Sequence, residues 1–116
     1  MSAHVRRALE EITRIRGVRG AVLADRTEGI VVAESAMLGV RREAIAALGA
    51  SLVRRCGVLL EGGGLGVPRH VLLQGREGTL VAVPVTDELL LLAVGDAAVN
   101  VGLVRAELQR VARELR

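Results

Sequence analysis

The chain contains no phenylalanine, tryptophan or tyrosine. Its core must be built from Leu, Val, Ile and Ala, and it offers no aromatic platform on which bases, sugars or a flavin ring would stack. Lysine is also absent, so all sixteen basic residues are arginine. With no Lys or Tyr to titrate, a formal charge of only +3 persists until arginine itself deprotonates, and the isoelectric point of 10.8 overstates the basic character. The arginines are scattered, mostly beside Glu on helical stretches, and form no stripe, which argues against a nucleic-acid partner. Cys56 is the single cysteine, which excludes an intrachain disulfide and a Cys-rich metal site. No apolar run approaches the ~20 residues of a membrane helix. Met1–Arg7 is not followed by the apolar run of a signal peptide. The expectation is a cytoplasmic protein with no membrane insertion.

The chain has 116 residues, a length that suits one domain over residues 1–116, and 51% of them are apolar. The stretch Gly78–Val94 organises it. Two apolar runs, Thr79–Val85 and Leu89–Val94, flank the polar corner Thr86-Asp87-Glu88, which predicts a hairpin. The second run, Leu-Leu-Leu-Leu-Ala-Val, lacks polar alternation, so it belongs at the centre of a sheet covered on both faces. Gly20–Asp25 and Ile30–Glu34 read as two more strands around the turn Arg26-Thr27-Glu28-Gly29, and Arg69–Gln74 as a fifth.

Three helices complete the order α-β-β-α-β-β-β-α. Val5–Ile15 carries an apolar stripe of Val5, Ala8, Leu9, Ile12 and Ile15; Ser2 is placed to cap it and Gly17 to end it. The last helix has the stripe Val104, Leu108, Val111 and Leu115, with Asp96 or Asn100 as its cap. The middle helix, Val40–Leu60, is unusual: Ala44–Val53 has no charge for ten residues. Ile45, Leu48, Leu52, Cys56 and Leu59 form one broad stripe, expected to pack on the sheet. Ala46, Gly49, Ala50, Val53 and Gly57 lie on its other sides, all small or apolar, where a wet face would carry charge. Each glycine inside the helix costs about 1 kcal/mol relative to Ala. Close approach of another backbone would offset that, and the simplest partner is the same helix of a second copy. Arg41-Arg42 and Arg54-Arg55 then form a basic rim around an apolar contact.

No constellation for catalysis emerges. The glycine cluster Gly62–Gly66 follows a helix, precedes a strand and has no Lys, so it is no phosphate loop. His4 and His70 have no second metal ligand near them. Cys56 has no basic partner beyond Arg55, and Ser35 and Ser51 have no His/Asp setting. Asp25, Glu28 and Glu34 cluster around one turn, where solvation accounts for them. Catalytic, cofactor-binding and metal sites are each expected to be none, and the chain is expected not to be an enzyme. The candidate surface is the dimer or partner interface Ala46, Gly49, Ala50, Val53, Arg54, Gly57, His70, Val71 and Leu72.

Several short motifs, in order, carry a family resemblance. The helix Val5–Ile15 leads into Gly17-Val18-Arg19-Gly20-Ala21-Val22-Leu23, followed by the Asp25–Gly29 turn. Val83-Pro84-Val85-Thr86-Asp87-Glu88-Leu89-Leu90 then precedes Asn100-Val101-Gly102-Leu103-Val104-Arg105. Over nearly its full length the chain resembles the Roadblock/LC7 family. The resemblance implies an α+β fold: a five-stranded antiparallel sheet with the long helix on one face and the terminal helices on the other, a profilin-like layering. It also implies a homodimer joining the long helices and the third strands. Bacterial members of the MglB kind bind a small Ras-like GTPase as dimers and can stimulate its hydrolysis, while eukaryotic relatives scaffold GTPases or dynein. The leading expectation is therefore a dimeric GTPase regulator without catalytic residues of its own. The alternative is a structural scaffold or assembly subunit, dynein-light-chain-like, with no GTPase partner. A small-ligand sensory domain is disfavoured by the aliphatic core.

Overall fold

The computed structural model describes residues 2–36 and 39–116; Met1 lies outside it. Eight elements follow the predicted order: α1 (Ala3–Thr13), β1 (Val18–Asp25), β2 (Val31–Ser35), α2 (Arg42–Gly62), β3 (Val71–Gln74), β4 (Gly78–Pro84), β5 (Leu89–Asp96) and α3 (Val101–Leu115). The strands form one antiparallel sheet in the order β2-β1-β5-β4-β3. β5 is central, pairing Asp25 through Gly20 of β1 on one side and Gly78 through Pro84 of β4 on the other.

That position explains the run of leucines. Side chains alternate across a strand. Leu90 and Leu92 therefore point into the layer shared with α2, and Leu91 and Ala93 into the layer shared with α1 and α3. All four are buried. The α1/α3 layer is the larger, built from Leu9 and Ile12 of α1, Val104, Leu108 and Val111 of α3, and Leu23, Val81 and Val83 of the sheet.

Local chemistry sets the helix ends. The Ser2 hydroxyl accepts from the Val5 amide at 3.3 Å, and the Asn100 side chain accepts from the Leu103 amide at 3.0 Å. Of the two expected caps for α3, Asn100 does the capping. Asp96 instead accepts from the Ala98 amide at 3.0 Å, closing the turn ahead of the helix. Gly17, at φ 89°, makes the reversal between α1 and β1, and its carbonyl accepts from the Asp96 amide at 2.8 Å. α1 ends at Thr13, short of the predicted Ile15, and β3 starts at Val71, so Arg69 and His70 precede the strand.

The structure reverses the expected orientation of α2. Ala46, Gly49, Ala50 and Val53 are buried against the protein's own sheet, packed with Val22, Ala24, Leu90 and Leu92. Leu48 and Leu59, expected to face the sheet, are 69% and 76% exposed. The reason is space. The sheet side already carries the leucines of β5, so the helix comes close only where its own side chains are small. A Cβ added at Gly49 would lie 2.7 Å from Leu92 Cδ2. Small residues and Val53 mark the sheet-facing side; Ile45 packs against it as expected and is half-buried, while Leu48, Val58 and Leu59 are left outside.

Candidate interaction surface

Because of that reversal, α2 turns an apolar face to solvent. Leu48, Val58 and Leu59 are exposed large aliphatics on a helix whose exposed side also carries Ala47 and Arg55. Cys56, expected as a small buried group, is only partly covered. α2 lies over β1, β2 and β5, so the β3 end of the sheet is less covered on this side. There Val71 and Leu80 are half-buried and Leu73 is 49% exposed.

The two edges of the sheet differ. At the β2 edge the register shifts between Leu23 and Ala24, and Val32 is the additional residue on the β2 side. A bulge of this kind bends an edge strand and interrupts its row of pairing groups. β3 pairs with β4 over four residues without a shift, and Val71–Gln74 contains neither proline nor charge. Its outer edge is the regular one.

The sequence-predicted interface residues therefore separate into two groups. Ala46, Gly49, Ala50 and Val53 belong to the core of their own chain and present no surface to a partner. Arg54 and Gly57 lie on α2 beside a groove, while His70, Val71 and Leu72 lie at the β3 edge. His70 Nδ1 is buried without a hydrogen-bond partner among the described residues. The residues that sequence reasoning missed as surface are Leu48, Val58 and Leu59. Leu48 and Leu59 gave their signal in the apolar stripe, but were assigned to the sheet side of the helix; Val58 lay outside that stripe.

The groove runs across the end of the sheet, between α2, the segment before β3, the β4–β5 corner and the end of α3, and its volume is about 990 Å³. Arg26, Arg54, Arg69, Arg113 and Arg116 line it, with Glu61 and Asp87 as its carboxylates. Two of these arginines hold the corner. Arg26 donates to the Thr86 carbonyl at 2.8 Å, and Arg116 Nε donates to the Val85 carbonyl at 3.1 Å.

Elsewhere arginines meet carboxylates. Arg42 bridges Glu34 of β2 at 2.9 Å. Arg110 of α3 meets Glu107 and Glu114 on its own helix and Glu11 of α1 at 2.5 Å. Hydrogen bonds that the guanidinium donates to Glu107 first and Glu11 second hold Arg110 charged well beyond its ordinary range. The Asp25 carboxylate accepts from the amides of Thr27 and Glu28 at 2.8 and 2.9 Å, so it shapes the β1–β2 turn. Among the described residues no group of three or more His, Cys, Asp or Glu is placed to hold a metal ion, and no helix is long and apolar enough to cross a membrane.

Residues 5–95 match the family model described as Roadblock/LC7 domain. The chain belongs to the Roadblock/LC7 family. Myxococcus xanthus MglB superposes with a TM-score of 0.87 at 19% identity, covering 97% of this chain and 92% of that one. A solved structure described as MglB with tetrameric arrangement superposes with a TM-score of 0.85 at 29% identity, covering 99% of this chain and 89% of that one. An uncharacterized protein of Methanocaldococcus jannaschii is 24% identical over 110 residues, 95% of each chain. The α+β layering expected from the sequence is thus the Roadblock/LC7 layering, and the chain resembles bacterial MglB regulators. Roadblock/LC7 proteins are typically non-catalytic scaffolds or regulators.

Proposed function

We propose that this protein is a homodimeric regulator of a small Ras-like GTPase, acting in the cytoplasm as one Roadblock/LC7-like domain over residues 1–116. The observation that carries the reading is the exposed apolar face of α2, with Leu48 and Leu59 outward, beside the regular edge of β3 in a chain that resembles MglB. An aliphatic face of this kind on a small soluble fold calls for cover by another protein surface. A second copy supplies the same helix and the same strand edge, which is the self-complementary arrangement a two-fold dimer requires. The proposed interface is Leu48, Leu59 and Val58 of α2 with Arg54 and Gly57 at their flank, and His70, Val71 and Leu72 at the strand edge. The GTPase binds the dimer, and hydrolysis is stimulated by holding the GTPase in a competent conformation, with no group from this chain entering the chemistry.

The test is co-purification with the host's small Ras-like GTPase, followed by a GTP hydrolysis assay. A complex with an altered hydrolysis rate is expected. No complex and an unchanged rate, with the dimer intact, would replace this reading with that of a structural scaffold. The mass of the free protein is read in the same experiment, and it distinguishes a dimer from a larger assembly such as the tetrameric arrangement described for a similar MglB.

A further inference from the structure

We propose that the groove at the end of the sheet binds an acidic, partly apolar peptide segment of a partner protein. Five arginines from separate parts of the chain converge on it: Arg26 from the β1–β2 turn, Arg54 from α2, Arg69 from the segment before β3, and Arg113 and Arg116 from the end of the chain. Among the described residues, the acidic side chains that line it are Glu61 and Asp87. Among the described residues none of the five arginines forms an ion pair, whereas Arg42 and Arg110 do. The positive potential in the groove is therefore left for a ligand to neutralise.

Arg26 and Arg116 are already held by the Thr86 and Val85 carbonyls. A guanidinium carries five N–H donors, so each keeps donors free after that bond and loses little further freedom when it meets a carboxylate. Between the arginines the floor is aliphatic. Val53, Val83 and Val85 are buried beneath it, and Pro68 and Pro84 are half-buried. A charged rim over an aliphatic floor suits an extended segment in which Glu or Asp alternates with Val or Leu.

Two other polyanions fit less well. Nucleic acid bases would need aromatic side chains to stack on, and the chain has none. A bilayer surface would touch the arginines but leave the recessed floor empty. All the lining belongs to one copy, and because Arg54, Gly57 and Val58 also flank the proposed contact between copies, the groove variants are made at Arg69 and Arg113, outside that contact.

The experiment measures fluorescence anisotropy of a labelled nonapeptide of alternating Glu and Val with the full chain at low salt. Saturable binding is expected, weakened at least tenfold at high salt and at least tenfold when Gln replaces Glu in the peptide. Arg69→Glu combined with Arg113→Glu should weaken it at least tenfold, with the mass in solution unchanged. Arg7→Glu, the same charge change on the exposed side of α1, should leave it as it was. If charge reversal disturbs the fold, Arg69→Gln with Arg113→Gln must give the loss instead. Equal binding of the Gln peptide, or unchanged binding by the groove variants, overturns the proposal. Tighter binding of single-stranded DNA or of phosphatidylserine vesicles, lost in the same variants, also overturns it in favour of that polyanion. Because mass is read alongside, failure of the groove and failure of the dimer are seen separately.

Discussion

A Cβ added at Gly49 would sit 2.7 Å from Leu92 Cδ2, closer than real carbon atoms approach, and Leu92 is fully buried. This contact is one of those that limit how near α2 comes to the sheet. Replacing Gly by Ala in a helix ordinarily gains about 1 kcal/mol from propensity. Here the added methyl has to displace a leucine that is packed on all sides, at about 1–3 kcal/mol. Gly49→Ala is therefore expected to lower stability in urea unfolding, by about 1 kcal/mol net. In a Leu92→Ala background the same substitution should become stabilising, because the obstruction is gone and the cavity is partly filled. A double-mutant cycle measures that coupling. Additive effects would show that the two residues do not limit each other.

Asn100 supplies the cap of the helix that closes the larger core layer. Its side chain satisfies the Leu103 amide, one of the donors that a helix start leaves without an internal partner. Asn100→Ala should cost about 1 kcal/mol, read as a lower midpoint of thermal or urea unfolding. Asn100→Asp keeps the acceptor and adds a charge that suits a helix N-terminus, so it should restore stability. A loss of the same size in both variants would mean that the amide group matters for something other than capping.

Arg110 ties α3 to α1 through Glu11 while also meeting Glu107 and Glu114. The group is partly exposed, so water and salt weaken each pair, and the network as a whole contributes about 1 kcal/mol or less. Its charged form is favoured in the folded state, so its contribution is complete below the unfolded-state pKa of arginine. It is lost only as pH rises through the still higher folded value. Neutral to moderately alkaline solution should therefore leave it intact. Arg110→Met should destabilise the chain modestly at low salt, with a smaller difference at high salt. A difference that does not respond to salt would indicate lost packing of the arginine stem in place of lost charge.

The layers were legible in the sequence because they depend on hydrophobic period, and period does not need partner information. The leucine run Leu89–Leu92 reads as a central strand because nothing polar interrupts it, and the structure places it between β1 and β4. The side of α2 was not legible in the same way. Period identifies two candidate faces, one of large aliphatics and one of small residues, and size alone favours burying the larger. The choice is made by what the sheet presents, and Leu90 and Leu92 are met by Ala46, Ala50 and Val53, with Gly49 where the approach is closest. The arginine groove was hidden for a related reason. Arg26, Arg54, Arg69 and Arg113 are far apart in sequence and look scattered, and only the topology brings them to one end of the sheet.

The two faces of α2 give opposite predictions for the same kind of substitution. Ala46 is fully buried against the sheet, so Ala46→Arg puts an unpaired charge into the core and should prevent stable folding. Leu48 and Leu59 are exposed in the single chain, so Leu48→Glu with Leu59→Glu should leave its fold intact while placing like charges into the proposed contact between copies. Sedimentation or light scattering at micromolar concentration should then find the monomer mass for the Leu variant, with unchanged circular dichroism, where the wild type is a dimer. If the variant keeps the wild-type dimer mass, the outer face of α2 is not the contact, and the β3 edge alone must carry it. Leu73→Lys then becomes the deciding substitution, since Leu73 is exposed on that edge and a lysine there opposes strand pairing.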